Sequence, residues 1–235
     1  PIISLPEQSI YGFEALARWE DDEGPTLPPE TFISLAEQTN QIERISALII
    51  GQIGRDLGAW LAESGQRRIA INIAPTELVG SELVAKLDQH LIARGVKPQQ
   101  ILLEITERTM VSGKAAAAAI EALSRRGFRV FADDFGVGYC GLGYLNELHM
   151  DGIKISQTFT AALGTDSPKA TLVPRIIEMA RELDLEIIVE GVENQAQLDA
   201  LLRAGPLLVQ GWLFSREMPA RQLLEQYDTL LPDRT

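Results

Sequence analysis

Residues 129–143 read Arg129-Val-Phe-Ala-Asp133-Asp134-Phe-Gly136-Val-Gly138-Tyr-Cys140-Gly141-Leu-Gly143. A short apolar run ends in two adjacent carboxylates, and a glycine-rich loop follows at once. Adjacent acids at the exit of a buried strand repel one another and lose hydration, so something must compensate them. A divalent cation suits carboxylate oxygens, because hard ions take hard ligands. A solvated Asp-Asp turn is the plainer alternative, and the pair alone does not separate the two. Two other patterns in the stretch fail on context. Gly136-Val-Gly138-Tyr-Cys-Gly141 matches the dinucleotide fingerprint, but carboxylates just before the turn would repel a pyrophosphate. Asp134-Phe135-Gly136 matches a kinase triplet whose companion motifs are missing from the chain.

Working outward, polar residues recur inside or at the ends of apolar runs. Arg68-Ile-Ala-Ile-Asn72-Ile-Ala is nearly continuous, as a doubly covered parallel strand should be. Asn72 needs partners there, unless it caps the helix opening near Pro75. In Ile101-Leu-Leu-Glu104-Ile-Thr-Glu107, the mid-strand Glu104 costs several kcal/mol unless it is paired or metal-bound. Lys154 sits between Ile153 and Ile155, and shares its strand face with Gly152 and Ser156. Glu190 and Gln210 end two further strands, with Glu193 just past the first. Near the N-terminus, residues 9–19 alternate as one strand with Glu14, Leu16 and Arg18 on one face, where a Glu–Arg salt bridge is the simpler reading.

Helices are expected over 29–37, 41–63, 76–93, around Ala115–Ala119, over 142–148, 170–183, 195–203 and 221–231. Strand and helix thus alternate about seven times, which implies parallel strands with crossovers. Polar residues at strand C-termini converge in an α/β barrel, whereas a doubly wound sheet offers only a crevice. The expected fold is therefore a barrel forming a single domain over 1–235.

Composition limits the function. The formal charge of −12 over 235 residues argues against free-standing binding to DNA, RNA or an anionic membrane. One cysteine and two histidines leave no disulfide framework and too few soft ligands for zinc. No apolar run approaches the roughly 20 residues of a membrane span, so no direct membrane insertion by this segment is expected. A cytoplasmic location follows, either free or as the cytoplasmic domain of a membrane-anchored sensor.

With these residues in view, the chain resembles the EAL domain family, the cyclic di-GMP-specific phosphodiesterases. The resemblance is carried by Glu14-Ala15-Leu16-x-Arg18, Asn72, Glu104-Ile-Thr-Glu107, Asp133-Asp134-Phe-Gly, Ile153-Lys154-Ile155, Glu190-Gly-Val-Glu193 and Gln210-Gly211, in family order. It implies a modified (β/α)8 TIM-like barrel with one antiparallel strand. It also implies that a first family strand, upstream of Pro1, is missing and that the piece was excised from a longer multidomain signalling protein. Hydrolysis of cyclic di-GMP to linear pGpG follows, with two Mg²⁺ or Mn²⁺ ions per site. Glu14, Asn72, Glu104, Asp133, Asp134 and Glu190 are the implied metal ligands, and Lys154, with Glu14 and Glu190, is implied in catalysis. Leu16, Arg18, Gln210 and Glu193 are implied in substrate binding, and Glu107 in anchoring the glycine-rich loop. A homodimer, coupled through the loop after Gly138, and a covalently linked sensory or GGDEF-type domain are the implied partners.

Besides the missing strand, two residues depart from the family pattern, and one of them bears on activity. Asn40 stands in for a family glycine, and Asn tolerates the left-handed conformation. Ser156 replaces the family aspartate after Lys154-Ile155, and strand alternation aims it into the site. A weak or inactive EAL domain that acts as a cyclic di-GMP receptor or protein-interaction module is therefore the competing reading. A generic barrel enzyme acting on a sugar phosphate is a third.

Overall fold

A computed structural model describes residues 1–19, 27–80, 82–106, 114–137, 148–165 and 167–230. Eight strands close a barrel in chain order: β1 (Ile2–Leu5), β2 (Ser9–Ala15), β3 (Ile69–Ile73), β4 (Ile101–Thr106), β5 (Arg129–Phe135), β6 (Gly152–Ile155), β7 (Glu186–Val189) and β8 (Leu207–Gln210). Neighbours from β2 to β8 pair in parallel, while β1 is antiparallel to both β2 and β8. The barrel is thus closed by Ile2–Leu5 itself, and the expectation that an absent upstream strand closes it is corrected. Four residues running into Pro6 are too short for the alternation by which the other strands were recognised.

The helices outside the barrel are α1 (Pro29–Gln38), α2 (Ile42–Asp56), α3 (Gly58–Glu63), α4 (Pro75–Val79), α5 (Leu83–His90), α6 (Lys114–Arg125), α7 (Gln157–Thr160), α8 (Leu172–Glu182), α9 (Gln195–Leu202) and α10 (Ala220–Gln226). Two expected helices are each split. The 41–63 helix breaks at Leu57, and the 76–93 helix breaks at Gly80, whose backbone is extended. The strand expected over 9–19 stops at Ala15, so Leu16 and Arg18 lie in the loop beyond it. Most of the helix expected over 142–148, the loop after Gly138, and Glu107 fall outside the described residues.

Alternation sorts each strand into two faces. Ile69, Ile71, Leu103, Val130, Ile153, Ile187 and Val209 point outward into the core shared with the helices. Ile2, Ala70, Leu102, Phe131, Ile188 and Leu208 point inward and fill the barrel as a separate apolar layer. Phe131 is fully buried there and takes the space that a side chain on β6 would need. A Cβ on Gly152 would meet the Phe131 ring at 2.3 Å, which accounts for the glycine.

Below that layer, at the N-terminal ends of the parallel strands, a polar network closes the barrel. The Tyr11 hydroxyl donates to Glu186 at 2.6 Å, and Arg129 donates to the same hydroxyl at 2.6 Å and to Glu186 at 3.0 Å. Arg68 lies over the Tyr11 ring at 4.2 Å. Tyr11 turns in because β2 carries an irregularity against β1 between the Ile2 and Ile3 pairings.

Candidate active site

Two residues further along the same inward faces, the apolar layer gives way to chemistry. Ala70 is followed by Asn72, Leu102 by Glu104, Phe131 by Asp133, Gly152 by Lys154, Ile188 by Glu190 and Leu208 by Gln210. Glu14 takes the same place on β2, two residues after Gly12. Period 2 therefore brings residues scattered over nearly 200 positions to one end of one barrel.

Lys154 is the hub. Its ammonium lies 2.7 Å from Glu190 Oε1, 2.9 Å from Glu104 Oε2, 3.3 Å from Asp133 Oδ1 and 3.6 Å from Glu14 Oε2. These are the distances of ion pairs. Glu14 is fixed further by amides: Asn72 Nδ2 donates to Oε1 at 2.8 Å, and Gln210 Nε2 donates to Oε2. The capping alternative for Asn72 is thereby overturned. The cap of α4 is Ala74, whose N–H donates to Glu77 instead.

The electrostatics are unbalanced, with four carboxylates facing one ammonium. Burial raises Glu104 well above the usual carboxylate range, and the Glu14 and Asp133 charges add to the rise against the pull of Lys154. Burial likewise raises Asp133, and pushes Glu190 up to about 7. Glu14 is held low: burial would raise it, but Lys154 and the two amides together outweigh burial. Burial would lower Lys154, and its carboxylates together hold it well above the usual lysine range.

Asp134 does not join the ion pairs of Lys154. It is exposed, left-handed at φ 53°, and sits in a bulge between the Ala132 and Phe135 pairings of β5 with β6. The bulge breaks the alternation that would otherwise send Asp133 and Asp134 to opposite faces. Ser156 is buried as the first residue of the turn into α7, and its hydroxyl lies 3.5 Å from that of Thr158. Leu16 is exposed at the mouth. Glu193 is exposed and lines a cavity of about 270 Å³ with Gln157, Thr158, Ala161, Gly191 and Gln197. Arg18 pairs with Glu217 at 3.2 Å. Glu217 was not anticipated, because it lies in a loop where periodicity carries no signal.

The chain matches the EAL domain family over residues 1–217. It belongs to that family. Among its relatives, the probable cyclic di-GMP phosphodiesterase PdeB of Escherichia coli is 38% identical over 224 residues, covering 95% of this chain and 43% of PdeB. This EAL domain therefore spans less than half of that relative. The solved phosphodiesterase of Pseudomonas aeruginosa MucR, in complex with c-di-GMP, superposes with a TM-score of 0.88 at 35% identity, covering 95% of this chain and 91% of that one. BlrP1 of Klebsiella pneumoniae, described as a calcium and c-di-GMP complex, gives 0.77 at 26% identity over 92% of this chain and 53% of its own.

The donors fit a hard divalent ion in kind. Glu14, Asn72, Glu104 and Asp133 offer oxygen ligands, and among the described residues the oxygens of the buried Glu104 face no donor besides the Lys154 ammonium. Among the described residues, no three such side chains are already spaced as a closed shell, because they close on the Lys154 ammonium instead. Among the same residues, no helix is long and apolar enough to cross a membrane.

Proposed function

We propose that this domain is a metal-dependent phosphodiesterase that hydrolyses cyclic di-GMP to linear pGpG. The observation that carries the reading is the meeting of four carboxylates around Lys154 at the C-terminal end of the barrel. That charge excess calls for cations, and the described donors are oxygens. Glu14, Asn72, Glu104 and Asp133 would hold one Mg²⁺ or Mn²⁺ ion, with Asp133, Asp134 and Glu190 serving a second. Such ions lower the pKa of water and neutralise charge on the phosphoryl group. Lys154 orients the attacking water and balances the carboxylates, and Glu190 lies 2.7 Å from its ammonium on the side of the second ion. Gln210 keeps Glu14 in place through its amide, and Arg18 meets a phosphate of the substrate.

The receptor reading rests on Ser156. The charge set around Lys154 is assembled without residue 156, whose hydroxyl faces Thr158, and this supports the enzyme. In the same reading the domain covers 1–235 of a longer signalling protein, works beside a sensory or GGDEF-type domain, and dimerises in the cytoplasm.

The test is incubation with cyclic di-GMP and Mg²⁺ or Mn²⁺, with pGpG followed by chromatography and Lys154→Ala run alongside. Metal-dependent pGpG that vanishes in the variant is the expected result. Substrate that binds and stays intact establishes a receptor instead, and Ser156→Asp then shows whether the serine is responsible.

A further inference from the structure

We infer that Glu217 sets the affinity of this site for its anionic substrate by holding Arg18, an inference that rests on the phosphodiesterase reading. β1 is only four residues long and lies between β2 and β8, so the loops leaving those two strands meet beside its start. Arg18 comes from the first loop and Glu217 from the second, 199 positions apart. Arg18 Nη2 donates to Glu217 at 3.2 Å, and Nη1 donates to the carbonyl of Ala17 at 2.9 Å. Both terminal nitrogens are thus already engaged with protein. Of the neighbouring cations, Arg216 is stacked over the Trp212 ring at 4.5 Å.

The pair is about one-third to one-half exposed, and exposed pairs of this kind are weak. A phosphodiester can therefore displace the carboxylate from Arg18. The carboxylate stays nearby, because its own backbone amide and the Trp212 side chain also hydrogen-bond to it. It remains a fixed negative charge beside the guanidinium that would take the phosphate, and like charges at such separations oppose binding. A cyclic dinucleotide carries a charge on each of its two phosphodiesters, so the cost falls on binding and not on the chemical step, which occurs at Lys154.

Glu217→Gln keeps the length and the accepting oxygen and removes the charge. The expected result is a KM for cyclic di-GMP lowered about three- to tenfold with kcat little changed, a difference that narrows as salt is raised. Adding Arg18→Ala to Glu217→Gln abolishes the gain. An unchanged or raised KM in Glu217→Gln overturns the inference, since a carboxylate that merely orients Arg18 is lost at a cost to affinity. A fall in kcat with unchanged KM also overturns it. Turnover by the unaltered chain reports on the phosphodiesterase reading, and the ratio of variant to unaltered KM reports on Glu217, so the two failures are distinguishable.

Discussion

Lys154, near the end of β6, and Glu190, just past the end of the neighbouring β7, bring Nζ and Oε1 to 2.7 Å, yet the Glu190 carboxyl is pushed up to about 7. Burial is the first cause, and the Asp133 and Glu14 charges add to it against the pull of the ammonium.

That competition gives the metal-free protein a pH dependence of defined sign. An unfolded glutamate loses its proton near 4.5, whereas the folded Glu190 keeps it to about 7. Across this window the native state binds more protons, so stability falls as pH rises, by on the order of a few kcal/mol. Glu14 is shifted the other way, and its loss of stability lies below the window. Urea titration of chelator-treated protein is expected to give a higher midpoint at pH 5 than at pH 7.5, and Glu190→Gln is expected to reduce the difference, the remainder coming from Asp133 and Glu104. A midpoint that rises with pH contradicts the assignment.

Divalent ions act on the same carboxylates in the opposite sense. An ion must displace protons from Glu104, Asp133 and Glu190, all shifted upward by burial, so it binds better as pH rises. Mn²⁺ at 100 times its dissociation constant stabilises by about 2.7 kcal/mol. Thermal melts are expected to show a larger increment at pH 8 than at pH 6, and EDTA is expected to reverse it. An equal increment at both values indicates an ion bound elsewhere.

Asp134 is a second point of tension. Its left-handed backbone in the bulge costs a non-glycine residue about 1 kcal/mol, and its side chain is exposed. Asp134→Gly is expected to raise the melting temperature of the metal-free protein while weakening metal binding, measured by titration calorimetry. A gain in stability with unchanged affinity for the ion removes Asp134 from the ligand set.

At the far end of the barrel, Tyr11→Phe removes a hydroxyl that bonds both Arg129 and Glu186. Those two remain paired with each other, so the expected loss is about 1–2 kcal/mol by denaturant titration. Turnover per folded molecule is expected to be unchanged, since the apolar layer of Phe131 and its neighbours lies between this network and the site. A fall in kcat would show that the two ends of the barrel communicate.

Much of this was legible because barrel strands broadcast their facing. Asn72, Glu104, Asp133, Lys154, Glu190 and Gln210 stood out as polar residues in apolar runs, and a period of two brings them together. Three things were less legible. Continued alternation through Leu16-Ala17-Arg18 suggested a longer β2, although the pairing of β2 with β3 ends at Ala15. β1 was too short to register, although its register with β8 is regular over four residues. The Arg18–Glu217 contact depends on loop geometry, which no periodicity encodes. Asp134 was found by type, but its place outside the Lys154 ion pairs came from a bulge that strict alternation does not allow for.

The reversal of β1 also decides which face of the barrel the chain enters. In a wholly parallel barrel the first strand would start at the end remote from the chemistry. Here Ile2 lies opposite Gln210 on one side and Gly12 on the other, so Pro1 stands at the rim beside the layer holding Glu14 and Gln210. Pro1 and the amide–carboxylate contact of Gln210 and Glu14 therefore share one rim, joined through the ladder of a single four-residue strand, and no side chain of the hydrophobic interior stands between them.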